Sequence, residues 1–327
     1  MVSAGAPSRP LLGRHALGLD VGGTYIKWVL LDCHVVVVDS GHVPTPRTGP
    51  DDVASALAQI ARRVEVDSVG IGVPGLAHRE TGVVRFIPNI PGEWGAYPLA
   101  ARVAQQCGRP VALLNDARAF GLAELRVGSA KGLADVVFVT LGTGIGGALA
   151  IDGKMLVGRF DGCGEFGHQT YDVNGPMCGC GNRGCVETYS SGSAIVRAAS
   201  PGVTQRLSPA LLTATGSDLD ELTPLVVAGA AAAGDPFAAG VIGGAARALA
   251  SVVASTCALF GAEAIVVGGG VSAALPLLRP YMEEALTARR QLIGDCVLLP
   301  AGLGEQSGAM GAALWGAAMV GSNEHEG

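Results

Sequence analysis

The chain has 327 residues, 49 % of them hydrophobic and 15 % charged, with 50 glycines and a net charge of -6. That length suits two domains of ordinary size with a large core. The acidic balance, without a block of lysine and arginine, excludes a non-specific nucleic-acid binder, which needs a basic patch to replace counterions.

Residues 1–15 are polar and proline-containing, without the continuous apolar stretch of a secretory signal, and are expected to be a disordered leader. A first strand follows at 16–21 and ends in Asp20-Val-Gly-Gly-Thr24. Strands at 25–32 and 35–40 continue it by short connections as an antiparallel meander. Residues 51–64 have helical periodicity, with Asp51 or Asp52 near the start as cap. Residues 68–73 read as a buried strand ending in Pro74-Gly75, and 109–114 as a short strand ending in Asn115-Asp116, with a helix over 117–127. The pattern then restarts. A β-branched strand at 135–141 ends in Gly142-Thr-Gly-Ile-Gly-Gly147, and a strand at 148–151 turns at Asp152-Gly153. Strand, glycine turn with a threonine, and strand therefore occur twice, a weak repeat of topology. Residues 200–223 read as a variable loop with a short helix. The most apolar segment, 237–260, is interrupted by Arg247 and reads as a buried helix, since a membrane span needs about 20 predominantly apolar residues. A strand at 264–268, a helix, a strand at 296–299 and a small-residue helix from Ser307 complete the chain. Strands alternating with helices predict an α/β fold with mixed sheets in two similar domains around a cleft.

Four residues have metal-ligand spacing: His168, Cys178, Cys180 and Cys185. Three thiolates and an imidazole are a tetrahedral zinc set, and four protein ligands describe a structural site without an open position. Glycines 179, 181 and 184 let the backbone aim three sulfurs at one point. The alternative, buried small side chains without a metal, stays open on spacing alone. Cys33, Cys107, Cys163 and Cys257 are expected to be core thiols, and eight cysteines without an export signal point to a reducing, cytoplasmic compartment.

The two glycine loops, Gly22-Gly23-Thr24 and Gly142-Thr143-Gly144, let backbone N–H groups approach phosphate oxygens, with the threonine hydroxyl as a further donor. Asp20 can hold magnesium through water. An ordinary tight hairpin explains either loop taken singly; two at equivalent places in a repeat fit the grip of a triphosphate. Neither loop leads into a helix as a dinucleotide-binding turn does, and neither is followed by the lysine of a Walker loop. A third run, Gly268-Gly269-Gly270, ends a strand where bare backbone can lie against a nucleoside or simply pack helix on sheet.

Taken in order, Asp20-Val-Gly-Gly-Thr-Tyr-Ile-Lys27, Asn115-Asp116, Leu141-Gly-Thr-Gly-Ile-Gly-Gly147, Glu165-Phe-Gly-His168 and Cys178-Gly-Cys-Gly-Asn-Arg-Gly-Cys185-Val-Glu187 resemble the ROK family of sugar kinases and repressors, over about residues 16–320. The resemblance implies two ribonuclease H-like (actin/hexokinase-type) domains with mixed sheets around a central cleft. The small domain is expected over 16–116 plus the helix 307–322, and the large zinc-bearing domain over 117–306. Only about 15 residues precede the first strand, too few for the repressors' DNA-binding unit, so the kinase branch is expected.

The resemblance implies that Asp116 is the catalytic base, taking the proton of a sugar hydroxyl as it attacks; a helix N-cap is its competing reading. Asn115, Glu165, His168 and Glu187 are expected to bind sugar hydroxyls, joined by Gly75 and Asn89. His168 then gives one ring nitrogen to zinc and the other to sugar. Asp20, Gly22, Gly23, Thr24, Gly142, Thr143, Gly144 and Gly268–Gly270 are expected to hold ATP and Mg2+, with Lys27 left outside the site and Gly304–Gly308 near the adenosine. Ala148, Cys163 and Gln169 depart from the family pattern without removing an assigned contact. The expected activity is an ATP-dependent hexose 6-kinase, glucose by default. The alternatives are an amino-sugar kinase (kanosamine, glucosamine or N-acylhexosamine), a polyphosphate-using glucokinase, or a sugar-sensing regulator. A homo-oligomer (dimer or tetramer) is expected, with neither a nucleic-acid nor a membrane partner.

Overall fold

The computed structural model describes residues 15–158 and 161–323; all of the expected leader except His15 lies outside them. The chain divides into two compact units, Met1–Val127 with Val157–Gly162 and Gln306–Gly327, and Gly128–Leu156 with Cys163–Glu305.

In the first unit, strands β1 (Ala16–Val21), β2 (Tyr25–Leu31), β3 (Val37–Pro44), β4 (Ser68–Val73) and β7 (Val111–Asn115) form one sheet in the order β3-β2-β1-β4-β7. The first three are antiparallel; β4 and β7 join β1 in parallel. A small hairpin, β5 (Leu76–His78) with β6 (Val83–Phe86), follows β4. Helices α1 (Pro50–Ala61), α2 (Leu99–Cys107), α3 (Asp116–Arg126) and the C-terminal α11 (Ser307–Asn323) complete the unit. Every residue of β4 is buried, as a strand covered on both faces should be.

The small residues of α11 lie directly on the sheet backbone. A methyl group on Gly18 would strike the carbonyl oxygen of Ala309, and one on Gly70 that of Ala312. A methyl on Gly311 would strike the carbonyl of Ala119 in α3. This close packing explains the small residues of α11 and the glycines that face it. It also holds α3 in the first unit, so that the division falls after Val127 rather than at the expected 116/117.

The expected cap of α1 is corrected. Its N-cap is Gly49 without a side-chain hydrogen bond, and Pro50 opens the helix, where proline's missing N–H costs nothing. Asp51 and Asp52 sit in the first turn, favourably placed against the helix dipole.

The second unit repeats the sheet. Strands β8 (Val136–Leu141), β9 (Ile145–Ile151), β10 (Lys154–Leu156), β11 (Ala264–Gly268) and β12 (Val297–Pro300) lie in the order β10-β9-β8-β11-β12, three antiparallel and two added in parallel. The topological repeat is therefore real. β9 begins three residues before the expected position 148, because Gly146 and Gly147 pair with Thr140 and Val139.

The helices of this unit are α4 (Glu187–Ser190), α5 (Gly192–Thr204), α6 (Pro209–Thr215), α7 (Pro224–Ala232), α8 (Pro236–Phe260), α9 (Leu275–Ala288) and α10 (Arg290–Ile293). The region expected as a variable loop thus contains the end of α5 and all of α6. By length and composition α8 could cross a membrane, yet 61 % of its most apolar window is buried inside the unit.

Candidate active site and metal centre

β1 delivers Asp20 to the edge of the first glycine turn. The turn is closed by Gly22 N–H donating to Tyr25 O at 3.0 Å. Thr45 pins it from outside, its hydroxyl donating to Gly22 O at 2.6 Å while its N–H donates to Thr24 O at 2.9 Å. Neither Gly22 nor Gly23 has positive φ; their lack of side chain serves close approach. A Cβ on Gly23 would touch Asn89 at 3.5 Å, so the turn and the exposed Asn89 are neighbours.

The Asp20 carboxylate lies between two glycines. A Cβ on Gly72 would sit 3.6 Å from its Oδ1, and one on Gly308, at the start of α11, only 2.6 Å from Oδ2. Burial, and after it the negative charge of Asp116, push this carboxyl up to about 7, against the pull of Lys27. Lys27 is the cross-strand partner of Asp20, so the same face carries both. A bound cation relieves such crowding of acids, and Asp20 fits the role of a magnesium-holding group.

The start of α3 separates two jobs that sequence leaves entangled. Asn115 is the N-cap: its Oδ1 accepts from Ala117 N–H at 3.0 Å and Arg118 N–H at 3.2 Å. Its Nδ2 donates to Gly75 O at 2.9 Å, tying the helix to the turn after β4. Asp116 is the first helical residue, with Oδ1 near its neighbour's N–H, Ala117, at 2.8 Å. The cap is thus filled by Asn115, which keeps one amide hydrogen for any further partner. Gly75 has φ 89, and a Cβ there would strike Phe86 O; the position requires glycine.

In the second unit, Gly142–Gly144 span the turn between β8 and β9, whose end residues Leu141 and Ile145 pair. The start of α5 grips this turn from one side, with Gly192 N–H on Gly142 O at 2.8 Å and the Ser193 hydroxyl on Thr143 O at 2.9 Å. The third glycine run grips it from the other, Val271 N–H donating to Leu141 O at 2.8 Å. Gly269 has φ 93 and presses on Leu141 so closely that a Cβ would collide. Gly268–Gly270 therefore pack on Leu141, the residue just before the Gly142–Gly144 turn. Glu187, at the start of α4, closes that turn: its Oε2 accepts from Ile145 N–H at 2.8 Å.

The metal-ligand set is assembled. One ligand atom from each of His168, Cys178, Cys180 and Cys185 lies within 4.8 Å of all the others. His168 turns Nδ1 to Cys178 Sγ at 3.6 Å, and Nε2 lies 3.9 Å from Glu165 Oε2. One ring nitrogen faces the sulfurs and the other the carboxylate. Burial pushes the Cys185 thiol up to about 12 and Cys178 in the same direction. A cation at the centre of the set would offset that burial and favour the thiolates, as a tetrahedral N/S metal site requires. Gly181 (φ 91) and Gly184 (φ 64) make the turns. Gly179 does not: it has no positive φ and nothing near its missing side chain, which corrects its expected role.

Each half of the expected site is thus gathered within its own unit. Asp20, Gly22, Gly23, Thr24, Gly75, Asn89, Asn115 and Asp116 lie in the first. Gly142–Gly144, Glu165, His168, Glu187 and Gly268–Gly270 lie in the second. Sequence reasoning missed Thr45 and Ser193, and it did not place Gly308, expected near the adenosine, against the Asp20 carboxylate. It also set aside Lys27, which alternation along paired strands could have placed beside Asp20. Of the expected core thiols only Cys257 is buried, while Cys33, Cys107 and Cys163 are half-buried.

Residues 16–318 match the model of the ROK family. The chain belongs to the ROK family. A ROK relative named glucokinase, from Thermotoga maritima, is 36 % identical over 305 residues, covering 91 % of this chain and 95 % of that protein. The N-acetylgalactosamine kinase AgaK of a Shewanella species is 32 % identical over 323 residues, covering 91 % and 96 %. Among solved structures, a ROK family glucokinase from Streptomyces griseus, in complex with glucose and AMPPNP, has 34 % identity and a TM-score of 0.78, covering 92 % of this chain and 99 % of that one.

Proposed function

We propose that this protein is an ATP-dependent hexose kinase that transfers the γ-phosphate to the 6-hydroxyl, with glucose as the default substrate. The observation that carries the reading is the start of α3, where Asn115 takes the capping bonds and leaves Asp116 beside Asp20. A capping role for Asp116 is thereby displaced, and a carboxylate near a second, cation-suited carboxylate is what proton removal during phosphoryl transfer needs. The likeness to a glucokinase crystallised with glucose and AMPPNP supports sugar and ATP as the ligands.

In this reading Asp116 accepts the proton of the attacking hydroxyl. Glu165, His168 Nε2 and Glu187 recognise other hydroxyls, with the spare amide hydrogen of Asn115, Gly75 and Asn89 as further contacts. The turns at Gly22–Thr24 and Gly142–Gly144 receive phosphate oxygens, and Gly268–Gly270 the nucleoside. Asp20 holds magnesium, which neutralises phosphate charge. His168, Cys178, Cys180 and Cys185 hold a structural zinc, which fixes the histidine tautomer and ties residues 168 to 185 together.

The 32 % identity to an N-acetylgalactosamine kinase makes an amino or N-acyl hexosamine the second reading. A coupled ADP-release assay over glucose, mannose, fructose, kanosamine, glucosamine and N-acylhexosamines separates them, with polyphosphate in place of ATP as a further arm. Glucose is expected to give the highest kcat/KM. Higher kcat/KM for an amino sugar selects the second reading, and sugar binding without ADP from any member of the panel refutes the kinase.

A further inference from the structure

The end of α8 and the approach to β12 bring together two cysteines that the kinase chemistry does not use. Cys257 lies fully buried in the last turn of α8, and Cys296 is half-buried just before β12. Their Sγ atoms are 3.8 Å apart across a sequence separation of 39. Cys296 also lines a cavity of about 100 Å³ with Glu283, Thr287, Arg290 and Asp295. Gly294 and Asp295 are exposed at its rim. A small solute in the cavity therefore meets Cys296 and not the buried Cys257.

We propose that Cys257 and Cys296 form an oxidant-responsive dithiol that closes to an intramolecular disulfide by exchange with a low-molecular-weight disulfide. The arrangement supplies both steps of such an exchange. Cys296 is the attacking sulfur: the Cys257 S–H stabilises its thiolate, holding Cys296 below the ordinary thiol range and Cys257 above it. The Cys296 thiolate attacks one sulfur of the disulfide, forming a mixed disulfide and releasing one thiolate, which takes up a proton. Cys257 then loses its proton and attacks Cys296 Sγ, releasing the second thiol. The two cysteines lose two electrons and two protons, and the small disulfide is reduced to two thiols. The buried partner has one sulfur within reach, so closure is favoured over release of the mixed disulfide. The new bond fastens α8 to β12 and constrains the unfolded chain.

The test is to equilibrate the full-length protein with oxidised glutathione, alkylate the remaining thiols and map the peptides. The proposal predicts a linked pair of peptides carrying Cys257 and Cys296, and a rise in unfolding temperature that dithiothreitol reverses. In Cys257→Ser the reaction is predicted to stop at a glutathione adduct on Cys296, and in Cys296→Ser Cys257 is predicted to stay reduced. Alkylation of both thiols after equilibration, or a glutathione adduct on Cys296 that persists in the wild-type chain, overturns the proposal.

Discussion

The Glu187 carboxylate accepts a hydrogen bond from Ile145 N–H at 2.8 Å and fills the space where a side chain on Gly144 would stand. One acid from the end of the metal-binding segment thus shapes the glycine turn expected to receive phosphate. Glu187→Ala removes both the charge and the acceptor, whereas Glu187→Gln keeps an acceptor. A hydrogen bond to a charged group is worth about 1.5–3 kcal/mol. Glu187→Ala is therefore expected to lower kcat/KM for the nucleotide by roughly 10- to 100-fold, and Glu187→Gln by less. Steady-state kinetics with varied ATP check this; equal losses in the two variants would show that charge, not turn shape, dominates.

Gly308 is expected to be irreplaceable for a reason unconnected with helix stability. Alanine ordinarily favours a helix over glycine by about 1 kcal/mol. Here its methyl group would stand 2.6 Å from Asp20 Oδ2, displacing the carboxylate assigned to magnesium. Gly308→Ala should lower kcat by about tenfold or more and raise the magnesium concentration needed for half-maximal rate. The KM for sugar should stay unchanged. A variant with wild-type magnesium dependence would remove Asp20 from the metal site.

Cys180 is exposed while Cys178 and Cys185 are buried, so Cys180→Ala leaves no cavity and isolates the metal's contribution. Wild-type protein should yield one zinc per chain on release, measured with a chromogenic chelator. Cys180→Ala should lose zinc and sugar phosphorylation together. Metal-free protein working at full rate would make the cluster dispensable for the site.

Asp235 and Ser208 cap α8 and α6 and bond to each other, Ser208 Oγ to Asp235 Oδ2 at 2.7 Å. Burial pushes the Asp235 carboxyl up, but hydrogen bonds led by Ala238 N–H and the Ser208 hydroxyl outweigh it and hold it below its ordinary 3.8. A carboxyl lowered by folding stabilises the fold above its unfolded value and ceases to do so as pH falls through the folded one. Asp235→Ala is expected to cost about 1–2 kcal/mol at neutral pH. The gap in unfolding temperature from wild type should narrow as pH drops below 3.8. A gap independent of pH would assign the loss to packing.

Much of the fold was legible because the strands are short, apolar and punctuated by glycine turns, as at Asp20–Thr24 and Gly142–Gly147. The repeat of topology was legible for the same reason. The metal ligands were legible from spacing, since a knuckle of eight residues supplies three of the four. What remained hidden rests on distant partners. Thr45 reaches back 23 positions to pin Gly22, and nothing in its neighbours announces this. Gly308 and Asp20 lie at opposite ends of the chain. Asn115 and Asp116 offer two candidate caps side by side, and only the helix geometry assigns the cap to Asn115. The hairpin of β5 and β6 and the short helix α2 were missed because three to nine residues carry too little periodicity to register.

Sugar-dependent ADP release by Asp116→Asn decides whether Asp116 takes the proton during phosphoryl transfer to a hexose. Asn115 caps α3 in either protein, so the variant should unfold at the wild-type temperature. General-base catalysis contributes about 10²- to 10⁴-fold, and ADP release with glucose should fall by that factor with sugar binding retained. A folded Asp116→Asn protein that releases ADP at close to the wild-type rate would show that Asp116 is not the base.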